Sequence, residues 1–250
     1  MDTVKNLFGM IKSASHCVAL TGAGVSTLSG IRDFRGKNGL YTDKSGIYER
    51  MFDIDNFEKD PSIYYNAARG FIYSLDAKDA SVVHNTLGKL EAKGFLKAVI
   101  TQNIDLLHQK GGSRKVIEVH GSPVVHYCLR CAGVRMPFEE VAEIVNSGGM
   151  PKCPHCASIL KPAITFFGEA LPIDAIREAG SEAGKADLML VLGTSLTVHP
   201  AAGLPDATIR SGGKIVIVND QNTHLDRYSA MRFSDLGAVF EELNDLLDRN

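Results

Sequence analysis

The sequence predicts an α/β fold: a doubly wound, parallel sheet with helices on both faces, carrying a smaller inserted part. Three observations predict it. Short apolar runs recur without the alternation of a half-exposed strand. Helical patterns separate most of them. Each run then ends in glycine, amide, imidazole or hydroxyl residues. Strands buried on both faces read as continuous apolar runs, and strands alternating with helices imply right-handed crossovers in a parallel sheet.

Taken in order, Val4, Leu7, Phe8 and Ile11 recur at helical spacing and predict an amphipathic first helix. The first buried run is 17–20, followed by Thr21-Gly22-Ala23-Gly24. Residues 82–93 read as a helix, 98–100 as a strand ending in Thr101-Gln102-Asn103-Ile104-Asp105, and 116–119 as a strand broken by Glu118 and ending in His120-Gly121. A helix over 173–183, a strand over 188–192 before Gly193-Thr194-Ser195, a helix over 201–210, a strand over 215–218 before Asn219-Asp220 and a last helix over 239–247 complete the alternation. Ligands bind at the carboxyl ends of strands in such sheets, so these five run ends mark one candidate edge. Two segments break the pattern: 37–75 is rich in Tyr and Phe and interrupted by Pro61, and 122–162 holds four cysteines. The expected division is therefore one large domain from 1–36, 76–121 and 163–250, and a small one from 37–75 and 122–162. No repeat or low-complexity linker is visible.

At 250 residues, 44% hydrophobic and 22% charged, the chain can bury a full core. Its formal charge of −2 gives no surplus to attract a phosphate backbone, so direct nucleic-acid binding is not expected. No apolar run reaches the roughly 18 residues of a membrane span, and MDTVKNLFGMIKSASH, with its early Asp and spaced apolar residues, is no signal peptide. A cytoplasmic location with reduced thiols is the expectation. Phosphate-loop, nucleophile-elbow and zinc-protease motifs are absent.

Cys128-x2-Cys131 and Cys153-x2-Cys156 form two knuckles 21 residues apart, the pattern of a zinc ribbon. Four thiolates hold Zn²⁺ tetrahedrally and leave no position for water, so the metal is expected to be structural. His126 and His155 are nearby competitors, but the cysteine pairs suffice. Arg130, Arg135, Lys152 and Lys161 face Glu139, Glu140 and Glu143 in this segment, with no basic stripe for nucleic acid. Cys17 reads as packing.

The stretch LTGAGVSTLSGIRDFRG begins like a dinucleotide loop, with Gly22 and Gly24, but Thr27 stands where a third glycine would fall, and Arg32, Asp33 and Arg35 follow. Two arginines and a carboxylate beyond the glycines suit a loop that orients NAD⁺ for cleavage rather than reduction. His120, at a strand end, is a candidate general base; Asp33 and Asp105 are carboxylates on the same edge that could equally be helix caps.

GAGVSTLSGIRDFRG, TQNID, His120-Gly121, the two CxxC knuckles, FFGE at 166–169, GTSLTVHPA at 193–201 and IVN at 217–219 occur together and in order. The chain resembles the sirtuin family of NAD⁺-dependent protein deacylases over about 17–219, and its length is similar to that of prokaryotic members. The resemblance implies a Rossmann-like domain with a smaller inserted domain made of a helical segment and a four-cysteine zinc ribbon (Cys128, Cys131, Cys153, Cys156). It implies removal of acetyl, or other apolar acyl, groups from protein lysines, with nicotinamide and an O-acyl-ADP-ribose as products. His120, Asn103 and Asp105 would be the catalytic residues. Gly22, Ala23, Gly24, Thr27, Phe34 and Arg35 would form the NAD loop, the glycines giving close approach to phosphate. Gln102, Ile104 and Asp105 would line the nicotinamide pocket, and Asn103 would hold a water or ribose hydroxyl. Ser195 and Asn219 would bind the adenosine half, with Asp220 near its ribose hydroxyls, and Gly193, Thr194 and Gly237 would also contact NAD. Ile164, Phe167, Gly168 and Val198 would flank an acyl-lysine peptide docked as an extra strand. In the implied chemistry the acyl oxygen attacks C1′ of the nicotinamide ribose, and His120 then takes a proton from a ribose hydroxyl.

The chain departs from the family at Arg32, where proline is usual. Proline fixes φ and removes a donor; arginine does neither and adds charge. Aligned through YYNAAR, the Tyr-x-x-Arg pair of succinyl-removing members falls on Tyr65 and Ala68, so the cationic partner is missing, although Arg69 lies one position away. An apolar acyl group is favoured. Two alternatives are an ADP-ribosyltransferase using the same loop and a non-catalytic NAD-binding module.

Overall fold

The computed structural model describes residues 3–36, 39–131 and 133–249. Its strands are β1 (Cys17–Thr21), β2 (Ala98–Thr101), β3 (Val116–Glu118), β4 (Gly121–Cys128), β5 (Arg135–Pro137), β6 (Leu160–Ile164), β7 (Leu188–Leu192), β8 (Lys214–Val218) and β9 (Met231–Phe233). Six form a parallel sheet in the order β3-β2-β1-β7-β8-β9. The chain builds outward from β1 to β3, then returns to the other side of β1 and builds outward again. The connections after β1 and β7 therefore leave in opposite directions, opening a crevice at their carboxyl ends.

Alternate residues of each strand feed two separate cores, as a period of two requires. Cys17, Ala19, Val99, Leu190 and Val216 face the helices Val4–Ser13, Val82–Ala92 and Leu236–Asp248. Val18, Leu20, Ile100, Met189, Val191 and Ile217 face the helices Ile173–Lys185 and Leu204–Arg210. Sealing both faces explains why β1 and β7 are wholly apolar up to Thr21 and Leu192.

A second, antiparallel sheet runs β5-β4-β6. It meets a third core formed largely by the short helices between Ile47 and Ala68. There Tyr64 packs edge-on against Phe52, Phe57 and Tyr65, and Tyr73 stacks on Phe138 with centroids 5.6 Å apart. Such pairs add to simple area burial.

The first helix and the five expected strands lie where the apolar patterns put them, within a residue or so. The helix expected over 201–210 is instead a 3₁₀ turn, Ala201–Gly203, followed by an α-helix from Leu204. Three-residue β9 and the small sheet carried no periodic signal, because strands so short, or half-exposed like β4, owe their state to their partners.

Candidate functional site

The turns after β1 and β7 touch. Gly22 N–H donates to Leu192 O at 3.0 Å and Gly24 N–H to Gly193 O at 2.9 Å. A Cβ on Gly22 would lie 2.8 Å from the Gly193 carbonyl oxygen, and one on Gly24 2.7 Å from the Gly193 Cα. The space these glycines leave is thus filled by the neighbouring turn, a use that the phosphate expectation does not include. The chain continues as a 3₁₀ helix, Ala23–Ser29. Thr27, at the place of the missing third glycine, points to solvent and returns its hydroxyl to Gly24 O at 2.8 Å.

A cavity of about 810 Å³ opens at this switch point. Its wall brings together Gly22, Ala23, Gly24, Phe34, Arg35, Gln102, Asn103, Ile104, Asp105, His120, Gly193, Thr194, Ser195, Asn219 and Asp220, with Ile164, Phe167, Gly168 and Val198 along one side. Two expected members stand off that wall: Thr27, turned outward as above, and Gly237. Gly237 lies in the first turn of the last helix, and its Cβ direction faces Asp235 and Leu28. The wall also includes Ser26, Arg32, Phe52, Phe71 and Glu169, which sequence reasoning did not assign. Three of them carried a local signal: Ser26 as the hydroxyl inside the glycine loop, Arg32 in the charged group that follows it, and Glu169 in FFGE.

Ser26 is the hub of the polar floor. Its hydroxyl donates to Asp105 Oδ2 at 2.6 Å and accepts from Asn103 Nδ2 at 3.1 Å. The second Asn103 amide hydrogen goes to Gly22 O at 3.1 Å, and Asp105 Oδ1 accepts the Leu107 N–H at 3.0 Å. Asp105 therefore also closes its own turn, as a capping residue does, and Asn103 Oδ1 makes no hydrogen bond among the described residues. Behind Ser26 lies His84, wholly buried. Its Nδ1 accepts the Ser81 N–H at 3.1 Å, so neutral His84 carries its proton on Nε2, 3.5 Å from Ser26 Oγ. Burial first, offset partly by Asp105, pushes His84 down to about 4. Buried His108, its ring centroid 4.6 Å from that of His84, is held well below the usual histidine value by burial and by His84.

His120 Nδ1 lies 2.9 Å from Gln102 O. A carbonyl can only accept, so Nδ1 carries the proton and Nε2 keeps its lone pair. Nε2 makes no hydrogen bond among the described residues, and the ring borders the cavity. Burial lowers the His120 pKa, and the bond to Gln102 O opposes that lowering. The imidazole is neutral at pH 7, with its free nitrogen a potential base.

The loop after the glycines is internally tied. Asp33 Oδ1 caps Gly36 N–H at 3.0 Å, Arg35 stacks over Tyr41 at 5.0 Å, and Arg32 Nη2 donates to Gly39 O at 3.1 Å. The arginine at the unusual position thus braces the loop through a side-chain bond. Tyr65 is buried and donates to Leu160 O at 2.5 Å, while Arg69 Nε donates to Val145 O at 2.9 Å. Neither lines the cavity, so the positions aligned with the Tyr-x-x-Arg pair do not reach it.

The four cysteine Sγ atoms lie within 4.8 Å of one another. Tetrahedral Zn–S bonds of about 2.3 Å set sulfurs about 3.8 Å apart, and Cys128 and Cys156 Sγ are 3.6 Å apart. The donor set fits a zinc ion with no open position. His126 is turned away to the Tyr73 hydroxyl, 2.7 Å from its Nε2.

A family model described as the Sir2 family matches residues 22–200. The chain belongs to the Sir2 family. An NAD-dependent protein deacetylase of Thermotoga maritima is 46% identical over 231 residues, 92% of either chain. An NAD-dependent protein deacylase of Thermococcus kodakarensis is 41% identical over 213 residues, covering 84% of this chain and 82% of that protein. Among solved structures, a Sir2 variant with deacetylated p53 peptide and 3′-O-acetyl ADP ribose superposes with a TM-score of 0.90 at 42% identity, covering 100% of this chain and 99% of that one. Sir2Tm bound to a propionylated peptide gives 0.87 at 41%, covering 99% and 98%. The family match runs from the first glycine of the β1 turn to Pro200 and so takes in most of the cavity wall and the cysteine cluster, but not Asn219 and Asp220 after β8.

Proposed function

We infer that the protein is an NAD-dependent protein lysine deacetylase that also accepts other small apolar acyl groups, releasing nicotinamide and O-acyl-ADP-ribose. NAD⁺ and acylated lysine peptides are its substrates, and the four-cysteine cluster holds one structural zinc. The observation that carries this reading is the His120 tautomer: a neutral imidazole, proton fixed on Nδ1 by Gln102 O, with Nε2 unbonded in a ring that lines the same cavity as Asn103 and Asp105.

When bound, NAD⁺ supplies an electrophilic ribose carbon and a nicotinamide leaving group. Asp105, oriented by Ser26 and the Leu107 N–H, accepts from the carboxamide in the pocket formed with Gln102 and Ile104. Asn103 presents its unbonded Oδ1 to a water or ribose hydroxyl. His120 Nε2 takes the proton of the ribose hydroxyl that goes on to attack the acyl carbon. Phe34 and Arg35, on the cavity wall, would lie along the ribose and phosphates, bordered by the Gly22–Ala23–Gly24 turn that packs on Gly193. Gly193, Thr194, Ser195, Asn219 and Asp220 hold the adenosine half. Ile164, Phe167, Gly168 and Val198 flank the acyl-lysine strand, and Ala68 in place of the arginine, with Tyr65 off the cavity wall, favours neutral acyl groups. The two sheets and their separate cores support a large domain of 1–36, 76–121 and 163–250 and a small one of 37–75 and 122–162, with the substrates between them. No helix among the described residues is long and apolar enough to cross a membrane. A cytosolic setting, which keeps the zinc thiols reduced, completes the proposal.

Mass spectrometry of an acetyl-lysine peptide with and without NAD⁺ tests the reading. Loss of acetyl only with NAD⁺, together with O-acetyl-ADP-ribose, is expected, and His120→Ala should be silent. Because burial holds His120 below its ordinary value of about 6.5, the fall of kcat/KM on acidification should be centred below pH 6.5. An unmodified peptide with untouched NAD⁺ would refute the activity, and an active His120→Ala would refute the base.

A further inference from the structure

Lys161 stands on β6 with no exposed side chain. A buried ammonium is tolerated only when it is paired and fully hydrogen-bonded. Its Nζ lies 2.8 Å from Glu169 Oε2, donates to Ile164 O at 2.7 Å and Pro162 O at 3.2 Å, and sits 3.9 Å from the Phe166 ring centroid. Glu169 in turn accepts the Phe166 N–H at 2.7 Å and reaches the cavity wall. One lysine therefore ties both ends of the turn from Phe166 to Glu169, as well as the strand end that leads into it.

That turn lies on the cavity wall flanking the proposed peptide strand. Its other side is held by backbone: Phe167 N–H donates to Phe52 O at 2.6 Å, and Ile54 N–H donates to Phe167 O at 3.1 Å. Gly168 adopts φ +94°, a left-handed conformation that leaves Phe167 48% exposed at the cleft. Lys161 touches none of the cavity itself. On β4, the partner strand, Tyr127 faces Lys161, with Cys128 beside it at the cysteine cluster, and Gly121, next to His120, faces Ile164 at the other end.

We propose that Lys161 is a positioning residue for substrate peptide: its ion pair with Glu169 holds the Phe166–Glu169 turn in the shape that receives the acyl-lysine strand. A purely structural lysine would lower stability and leave substrate discrimination alone. A positioning lysine acts on peptide binding and spares NAD⁺. The proposal rests on the deacylase reading.

The test uses the full chain with zinc and measures binding of a fluorescent acetyl-lysine peptide by anisotropy and of NAD⁺ by calorimetry, beside KM for each substrate. Lys161→Met should weaken peptide binding and raise peptide KM about tenfold or more, which is about 1.4 kcal/mol, with NAD⁺ affinity changed less than twofold. Glu169→Gln, which keeps a neutral acceptor for the Phe166 N–H and for Lys161 Nζ, changes the other partner of the pair and covers failure of Lys161→Met to fold. It should raise peptide KM about threefold. Lys161→Met/Glu169→Gln should bind peptide better than Lys161→Met, and Lys161→Arg should recover most of the loss. Equal effects on peptide and NAD⁺, or no effect on peptide in folded variants, would overturn the proposal. Wild-type protein that binds NAD⁺ but no acetyl-lysine peptide would overturn the deacylase reading and this inference with it.

Discussion

Lowering the pH from 7.5 to 5.0 protonates histidines in the unfolded chain but not His84 and His108 in the folded one. Both are buried, and among the described residues the one carboxylate that raises either of them, Asp105, acts on His84 and only partly offsets the burial. A folded value below the unfolded one means that stability is level above about 6.5 and declines as the pH falls toward the folded value, about 4 for His84. At pH 5, 1.5 units below the unfolded value of about 6.5, His84 destabilises the fold by about 2 kcal/mol, and His108 adds to that in the same direction. For a chain of this size that lowers Tm by on the order of 10 °C. Below about pH 4.5 a second loss begins at Glu182. Burial alone would raise its pKa, but hydrogen bonds from Lys115, His16 and Lys185 outweigh that and bring it to about 2. The assay is thermal unfolding at pH 7.5, 6.5, 5.5 and 5.0 with zinc content monitored, since acid also competes for thiolates. His84→Asn, with one titrating group fewer, should lose about 2 kcal/mol less between pH 7.5 and 5. Parallel pH profiles for wild type and His84→Asn, or a wild-type Tm that moves by less than about 3 °C, would refute the reasoning.

Two other changes test the site. Ser26→Ala leaves Asn103 Nδ2 and Asp105 Oδ2 each short of a buried partner. At about 1–3 kcal/mol for such a loss, kcat/KM for NAD⁺ should fall roughly 10- to 100-fold in steady-state kinetics with peptide saturating. Cys153→Ala should reduce bound zinc from about one per chain to near zero by elemental analysis, lower Tm and abolish activity. A fully active variant without zinc would show that the cluster does not support the cleft.

The residues that could be read from sequence are those whose neighbours are local. The strand-end clusters at Gly22, Gln102, His120, Gly193 and Asn219 were legible because a parallel sheet gathers all its carboxyl ends on one edge. The cysteines were legible because knuckle spacing is itself the ligand geometry. Gly237 was misplaced relative to the cavity because its position depends on how the last helix docks, which no local pattern specifies. Thr27 shares a motif with Ser26 but, one residue further along a 3₁₀ turn, projects to solvent while Ser26 projects inward. The partners of Tyr65 and Arg69 lie 95 and 76 residues away, beyond any sequence window.

By itself, the sequence determined the alternation of buried strands and amphipathic helices, the zinc ligands and the edge at which chemistry would gather, because periodicity and short spacing are properties of consecutive residues. Only the tertiary structure decided which tautomer His120 adopts, that Ser26 joins Asn103 to Asp105, and that Lys161 reaches Glu169. Each of these depends on a hydrogen bond whose donor and acceptor meet only after separate elements have packed, and a buried polar group takes its protonation and orientation from the partner that the packing supplies.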